Sequence, residues 1–200
     1  MPAPATPALQ VEPLLSQQLR AYPELAGGRF NCLADFEDAS APDPNAAAGS
    51  GGSAIRQIQQ FSIVPRSAEA SRNLVVNVTR TGAAAMEVNL PVGAELIFDL
   101  PQAVDIRPYK LLSMAVFSRS IRDDLRVSLD SDSGTWSSRR VLVEPGWNTV
   151  LVDIRQAAGE GSGSAAAGGA AALDPKSVRR VRIGFADAAG PVWFNLDDVI

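Results

Sequence analysis

The chain has 200 residues, of which 46% are hydrophobic and 20% charged, with a formal net charge of −4 and an isoelectric point near 4.9. A single β domain of this length can bury a substantial core, and the composition excludes wholesale disorder. Lys and Arg form no dense run, which argues against a nucleic-acid partner. No apolar run is long enough to cross a bilayer as a helix, so we expect no membrane insertion.

The sequence contains no histidine and only one cysteine, Cys32. The lack of histidine excludes Ser-His-Asp and Cys-His nucleophile systems and histidine metal sites. A lone cysteine forms no intrachain disulfide. Cys32 lies in Phe30-Asn31-Cys32-Leu33-Ala34, and we interpret it as a small buried side chain rather than a reactive thiol.

The first 28 residues are expected to form a leader that is separate from the main domain. Apolar residues recur at helical spacing near residues 10–21, and Tyr22-Pro23 interrupts the pattern, which predicts a short amphipathic helix. This helix either packs against the domain or docks a partner. The N-terminus shows no signal peptide, and the chain stops inside an apolar strand at Ile200. We therefore expect a segment of a longer protein, with further domains attached.

From residue 29 onward the pattern is that of short strands. Turn residues recur about every 8–12 positions, as in sandwiches and barrels, and no helix of nine or more residues is predicted. Pro101 is expected to close its strand, and the continuously apolar run of residues 110–119 predicts a central strand covered on both faces. The predicted strands cover residues 29–38, 54–64, 72–79, 84–90, 95–100, 110–119, 123–130, 136–143, 147–154, 178–186 and 192–199.

Two Ala/Gly-rich stretches, residues 40–53 and 157–172, are predicted to be low-complexity surface loops, since they contain few large apolar side chains. The strand predicted at residues 72–79 includes Asn77-Val78-Thr79, which fits a glycosylation sequon. Because such acceptors lie in surface loops, a position inside a strand argues against its use. The arginines at positions 180 and 182 share one strand face, which we interpret as a solvated face. The fold class predicted from these elements is all-β.

The last stretch of the chain places two adjacent carboxylates in an apolar strand. Val192, Phe194 and Leu196 alternate with polar residues, and the same alternation predicts that Asp197 and Asp198 point to opposite faces. A buried carboxylate without a partner costs several kcal/mol or becomes protonated. Each aspartate is therefore expected to be exposed or to have a partner, and the partner of Asp198 is the harder one to predict.

Four segments in this order resemble the galactose-binding-like jelly-roll domains, which include many carbohydrate-binding modules of glycan-active enzymes. The resemblance covers about residues 29–200. It implies a jelly-roll β-sandwich with a role in binding glycans. The segments are Asp35-Phe36-Glu37-Asp38, Val104-Asp105-Ile106 through Met114, Glu144-Pro145-Gly146-Trp147-Asn148-Thr149-Val150, and Phe194-Asn195-Leu196-Asp197-Asp198-Val199.

The resemblance also implies one structural Ca²⁺ between the first and last strands. Glu37 and Asp197 would be ligands, with Asp35 as a third and Asp38 and Asp198 as helpers. Calcium takes six to eight hard oxygen ligands, and clustered carboxylates near irregular backbone supply them. The alternative is that these carboxylates cap strand ends or pair with arginines.

A sugar-binding surface needs exposed flat rings with polar groups beside them. Trp136 is the first candidate, because it follows a Ser/Gly turn and is close to Arg139. Trp193 lies on the opposite parity from its apolar neighbours, so it either faces solvent or enters a second buried layer. Tyr109 is a further candidate, although a packing role is as compatible with its place before a buried strand. Trp147 is interpreted as structural.

Catalysis is not expected. Neighbouring carboxylates such as Asp123 and Asp124 should point to opposite faces of a strand, and no phosphate-binding loop is present. We predict a non-catalytic, carbohydrate-binding accessory module with a glycan or polysaccharide partner, in an extracellular or cell-envelope setting. The alternative is a structural or protein-interaction sandwich of a larger envelope or secreted protein. A fragment of a lyase or hydrolase is a third possibility. Exposed tryptophans lining a groove would favour the glycan-binding role.

Overall fold

A computed structural model describes residues 33, 34, 36, 59–81, 84–157 and 172–200. The predicted leader helix near residues 10–21, the loop at 40–53 and residues 158–171 of the second loop lie outside them. The described part contains eleven strands: β1 (Phe61–Val64), β2 (Ser71–Val75), β3 (Ala85–Leu90), β4 (Glu95–Val104), β5 (Leu111–Ser118), β6 (Arg122–Ser131), β7 (Thr135–Ser137), β8 (Val141–Val143), β9 (Gly146–Asp153), β10 (Val178–Phe185) and β11 (Val192–Asp197).

The strands form two antiparallel sheets. The six-stranded sheet has the order β1-β4-β10-β6-β7, with β8 also paired to β6, and the five-stranded sheet has the order β2-β3-β11-β5-β9. Each sheet joins strands that are far apart in sequence. The predicted all-β sandwich of the jelly-roll type is confirmed. No helix in the described ranges is long and apolar enough to span a membrane.

The core lies between the two sheets and follows from the alternation of side chains along each strand. Phe61 of β1 stacks on Phe98 of β4, with ring centroids 4.3 Å apart and an interplanar angle of 7°. Phe185 of β10 meets Phe194 of β11 edge-on at 5.4 Å, which joins the two sheets. Phe36, near the start of the domain, packs 5.7 Å from Phe61.

β5 is an interior strand of the five-stranded sheet, between β11 and the edge strand β9. Its residues from Leu112 to Val116 are all buried, including Ser113 and Ala115 on the side away from the core. This agrees with the continuous apolar pattern of the sequence. β11, the middle strand, ends at Asp197, so the terminal aspartates lie in the interior of the sheet and not at its edge.

Several predicted strand bounds were wrong. Gln59 and Gln60 precede β1 and are not in a strand, and the single strand predicted at residues 136–143 is divided into β7 and β8. β4 does not close at Pro101 but continues to Val104, since the β10 ladder is irregular here and β1 pairs only as far as Phe98. A proline is tolerated where a ladder hydrogen bond is not required. β2 ends at Val75, and Asn77 is exposed in a bend, so its position does not argue against the sequon.

The start of the domain lies beside its end. Ala34 forms an isolated antiparallel bridge with Val199, whose N–H donates to the Ala34 carbonyl oxygen at 2.7 Å. Ile200 exchanges two backbone hydrogen bonds of 2.8 Å with Ser113 of β5. Pairing therefore resumes after Asp198, and Leu33 and Ala34 lie beside Val199, the residue that follows the two terminal aspartates.

Candidate functional site

The outer face of the five-stranded sheet is the side turned away from the core. On β11, Val192, Phe194 and Leu196 belong to the core cluster, so the intervening residues Trp193 and Asn195 are on the outer face. The same alternation assigns outer-face residues on the neighbouring strands. This face combines aromatic rings with polar side chains, and it is the candidate site.

A line of five outer-face residues crosses all five strands, and we call it the cross-strand row. Its register follows from the pairing of each strand with the next, and neighbouring strands are about 4.8 Å apart, so the row is roughly 19 Å long. From β2 to β9 its members are Asn73, Glu87, Asn195, Phe117 and Trp147.

Aromatic rings occupy one end of the row and a position beside its middle. Phe117 and Trp147 meet edge-to-face, with centroids 5.6 Å apart and planes at 64°. Trp193, two residues before Asn195 on β11, is 43% exposed. An exposed tryptophan on a sheet face offers a flat apolar surface, and its indole N–H can hydrogen bond at the same time.

Three polar atoms of this face are buried without a hydrogen-bond partner. They are Nδ2 of Asn195, a residue only 4% exposed, Oδ1 of Asn89 and Oγ of Ser113. The other end of the Asn89 amide is held in place, since its Nδ2 donates to the Glu69 carbonyl oxygen at 2.7 Å. Buried polar groups are normally paired, so an unpaired donor and an unpaired acceptor indicate a place for a water or a ligand.

Arg119 and Glu87 contribute one pair of opposite charges to this face. Arg119 follows the end of β5, and its Nη2 lies 3.9 Å from Glu87 Oε2 on β3. Their side chains are 70% and 27% exposed, respectively. The charges cancel, so the face is polar but carries no net charge from this pair.

The two terminal aspartates form a second cluster of polar groups, at the C-terminal end of β11. Asp197 and Asp198 are both fully buried. Asp197 Oδ2 accepts the backbone N–H groups of Arg80 at 2.9 Å and Thr81 at 3.3 Å. Its Oδ1 accepts the N–H of Asp198 at 2.9 Å. The Thr81 hydroxyl donates to Asp198 Oδ2 at 2.7 Å, so Thr81 binds both carboxylates.

The prediction that these aspartates point to opposite faces was wrong. Asp198 has φ 47, a left-handed conformation, and the pairing of β11 with β5 skips this residue. An extra residue in one strand of an antiparallel pair interrupts the alternation of side chains. Both carboxylates therefore reach the segment that follows β2, and their common partner is Thr81.

Burial and the neighbouring carboxylate of Asp198 raise the pKa of Asp197 to about 8, although three backbone N–H groups act in the opposite direction. The three donors occupy most of the lone pairs of Asp197, and one acceptor position remains on Oδ1. This leaves room for one bond to a cation. A cation there would also offset the repulsion between the two carboxylates.

The other residues predicted to bind calcium are not placed by the structure. Asp35, Glu37 and Asp38 lie outside the described residues, although their neighbour Ala34 is paired with Val199. Within the described ranges, no group of three or more His, Cys, Asp or Glu residues is arranged to hold a metal. The calcium site thus stays a prediction, with Asp197 as its described member.

The structure does not bring together the four residues predicted to contact a ligand. Trp136 is on β7 of the six-stranded sheet, opposite Leu129, and packs partly buried against the core. Tyr109 also packs against the core, in the turn before β5. Arg139 is exposed between β7 and β8. Trp193 alone among the four lies on the outer face of the five-stranded sheet.

Sequence reasoning missed Asn195, Asn89, Phe117, Glu87 and Arg119. Asn195 and Glu87 were visible as polar positions alternating with apolar ones, but their alignment in one row depends on the pairing of β3, β11 and β5. Trp147 was interpreted as structural, yet its place in the row and its contact with Phe117 make it part of this face. The alternation of β9 could have indicated this, since its core residues Val150 and Val152 have the opposite parity.

The outer face of the six-stranded sheet has a different character. Arg182 pairs with Glu95 at 2.7 Å and Asp130 at 3.1 Å, and Arg180 pairs with Asp99 at 2.7 Å. Here the charged groups are partners of one another. The solvated face predicted for Arg180 and Arg182 agrees with these exposed and partly exposed pairs.

Comparison with known proteins identifies similar folds. No protein-family model and no curated protein matches the sequence. The solved structure of CtCBM11 is 13% identical, and the similarity covers 87% of this chain and 95% of that chain with a TM-score of 0.57. A family 11 carbohydrate-binding module from Clostridium thermocellum in complex with a β-1,3-1,4-mixed-linked tetrasaccharide is also 13% identical, covering 70% and 86% with a TM-score of 0.50.

A third similar structure is the family 30 carbohydrate-binding module of the cellulosomal cellulase Cel9D-Cel44B of Clostridium thermocellum. It is 16% identical, with 70% of this chain and 89% of that chain covered and a TM-score of 0.50. At these identities the likeness concerns the fold. The chain has the β-sandwich fold of carbohydrate-binding modules, and the resemblance predicted from its sequence is confirmed at that level.

Proposed function

We propose that this protein is a non-catalytic glycan-binding module that holds a carbohydrate on the outer face of its five-stranded sheet. The observation that carries the proposal is the combination, on one face, of an exposed Trp193 with the unpaired amide atoms of Asn195 and Asn89. The fold neighbours, which are carbohydrate-binding modules, support the same class of ligand.

The chemistry of a sugar fits this face. A pyranose has an apolar face of C–H groups that can stack on an indole ring, and hydroxyls that both donate and accept hydrogen bonds. Trp193 and the Phe117–Trp147 pair offer the rings. The Asn195 Nδ2 donor and the Asn89 Oδ1 acceptor offer complementary partners for the hydroxyls of a sugar.

A catalytic role finds no support in the described residues of this face. Its carboxylates include Glu87, which faces Arg119, and Asp153, which is paired with Arg155. Asp197 is the third, and its oxygens accept backbone N–H groups. Glycoside hydrolysis uses a pair of carboxylates on either side of the scissile bond, one of them as an acid. We therefore propose binding without hydrolysis.

The alternative is a structural or protein-interaction sandwich. Leu111 and Leu151 are exposed on the same outer face, toward the other end of the two strands that carry Phe117 and Trp147, and they favour it. A protein partner would bury this apolar edge, whereas a glycan would engage Trp193 and the two asparagines. The two functions therefore depend on different residues of one face.

The test is affinity electrophoresis on gels that contain neutral or acidic polysaccharides. Trp193→Ala should lower the affinity at least tenfold, a loss of about 1.4 kcal/mol, because it removes the exposed ring. Trp136→Phe is the matched control, since that ring packs against the core of the other sheet. Retardation that depends on Trp136 and not on Trp193 would move the site to the six-stranded sheet. No retardation on any polysaccharide would favour the protein-interaction role.

Two further expectations accompany this proposal. A structural calcium ion next to Asp197 would fasten the end of β11 to the start of the domain. The setting proposed for a glycan-binding module is the cell envelope or the extracellular space, where polysaccharides are abundant, and the module would serve as an accessory to further domains.

A further inference from the structure

The Arg119 side chain extends across the middle of the outer face. Arg119 follows β5, Glu87 is on β3, and β11 runs between these two strands. Glu87 is paired with Asn195 of β11. On the other side of β11, continuing the pairing of β5 places Arg119 opposite Trp193. With the guanidinium 3.9 Å from the Glu87 carboxylate, the side chain spans β11 diagonally between Trp193 and Asn195.

This ion pair is held weakly. The Nη2–Oε2 distance of 3.9 Å is beyond a hydrogen bond, and the Arg119 side chain is 70% exposed. Exposed pairs of this kind stabilise a protein little, and salt screens them. The two groups can therefore separate at low cost, and each would then offer its hydrogen-bonding capacity to another molecule.

Separation of the pair would complete a hydrogen-bonding set around Asn195. The Arg119 guanidinium and Asn195 Nδ2 are donors, whereas the Glu87 carboxylate and Asn89 Oδ1 are acceptors. The set is balanced in donors and acceptors, and the charges of Arg119 and Glu87 cancel. Hydroxyl groups, which donate and accept, match such a set, whereas an anionic sugar would meet the Glu87 carboxylate.

We propose that the Arg119–Glu87 pair is a gate across β11 that opens for a neutral sugar and then hydrogen bonds its hydroxyls. This inference rests on the proposed function and names its ligand class. In the closed state Arg119 lies over the path to Asn195, so the free energy of the ion pair opposes binding. Anything that weakens the pair without removing its hydrogen-bonding groups strengthens binding of a neutral glycan.

The first test is the effect of salt on affinity. Salt should raise the affinity for a neutral ligand and lower the affinity for an acidic one. Isothermal titration at low and high sodium chloride uses the β-1,3-1,4-mixed-linked tetrasaccharide, neutral β-glucan, xylan, mannan and agarose fragments, with oligogalacturonate as the acidic probe. For the neutral ligands, affinity should rise about twofold with salt, because screening opens the ion pair. For an acidic ligand held by Arg119, affinity would fall with salt.

Variants give the second test. Glu87→Gln keeps an acceptor oxygen but removes the charge, so it should bind neutral glycan about two- to fivefold more tightly at low salt and lose the salt response. Arg119→Met keeps the length of the side chain and removes the donors, so it should bind more weakly. Asp99→Asn is the matched control, because it breaks an exposed ion pair with Arg180 on the other sheet and should change nothing.

The outcomes separate this inference from the function on which it rests. Trp193-dependent binding that is indifferent to salt and to Glu87→Gln would overturn the gate and leave the glycan-binding function intact. Preferential binding of oligogalacturonate, weakened by salt, would overturn the neutral ligand class. No binding of any probe by the unmodified protein would overturn both.

Discussion

At the scale of single residues, Asp197 is a buried carboxylate whose protonation is coupled to folding. Its carboxylate is fully buried beside that of Asp198, and its pKa is raised to about 8. A group whose pKa is higher in the folded state than in the unfolded state stabilises the fold fully below its unfolded pKa of about 4. That stabilisation is lost as the pH rises through the folded value.

We therefore predict that the free energy of unfolding falls between about pH 5 and pH 8 in the presence of EDTA, by on the order of 1 kcal/mol per pH unit. The chain has no histidine, so few other groups titrate in this window. Urea denaturation at several pH values measures the slope. Asp197→Asn should flatten it, and a slope that is unchanged in this variant would contradict the assignment.

Calcium, if it binds as proposed, should act on the same residue. A cation beside the Asp197 carboxylate favours its ionised form, so saturating Ca²⁺ should raise the melting temperature most at about pH 8 and reduce the pH dependence. Differential scanning calorimetry with EDTA or Ca²⁺ measures this. Glu37→Ala should abolish the response, and a melting temperature that is insensitive to EDTA in the unmodified protein would exclude a structural calcium.

At the scale of elements, the segment after β2 is attached to the end of β11 through Thr81. Its N–H and hydroxyl groups bind both buried carboxylates. Loss of the hydroxyl leaves a buried oxygen of Asp198 with one donor fewer. The cost of such a loss is about 1–3 kcal/mol.

Thr81→Val should therefore lower the free energy of unfolding by about 1–3 kcal/mol, with little change in secondary structure by circular dichroism. Thr79→Val is the matched control, since Thr79 is two residues earlier in the same segment and the hydrogen bonds described for the two aspartates do not involve it. Equal effects of both substitutions would show that the segment tolerates no valine and that the contact between Thr81 and Asp198 is not the cause.

The same elements show what the sequence could predict. Strands such as β5, β6 and β10 were predicted within one or two residues at each end, because side-chain alternation is a local property of the sequence. The left-handed Asp198 was not predictable in this way. Its conformation depends on partners 117 residues away, and the alternation pattern ends at that residue. The end of β2 was likewise missed, since Val76 continues the β-branched pattern but is exposed.

At the scale of the whole molecule, the candidate site results from strand order. Glu87, Asn195 and Phe117 come from three strands that are separated in sequence and adjacent in the sheet. The resemblance of four segments was enough to predict the fold class, but it did not give the register of the strands. The local sequence around Trp136 predicted a ligand contact. The pairing of β7 with β6 instead places Trp136 opposite Leu129, and its ring packs against the core.

The sandwich uses its two outer faces differently. The six-stranded sheet carries ion pairs among its own residues, such as Arg182 with Glu95 and Arg180 with Asp99. The five-stranded sheet presents Trp193, the Phe117–Trp147 ring pair and two unpaired amide atoms. A ligand on the second face gains partners without breaking strong ones, and for this reason we assign binding to that face.

The most direct test of this assignment is backbone and side-chain amide NMR during titration with neutral oligosaccharides, including the mixed-linked tetrasaccharide. We predict chemical-shift changes in the side-chain amide of Asn195, the indole N–H of Trp193 and the adjoining positions of β3 and β5. The six-stranded sheet should remain unchanged. Shifts centred on Trp136 and Arg139, or no shift with any glycan, would contradict glycan binding on the outer face of the five-stranded sheet.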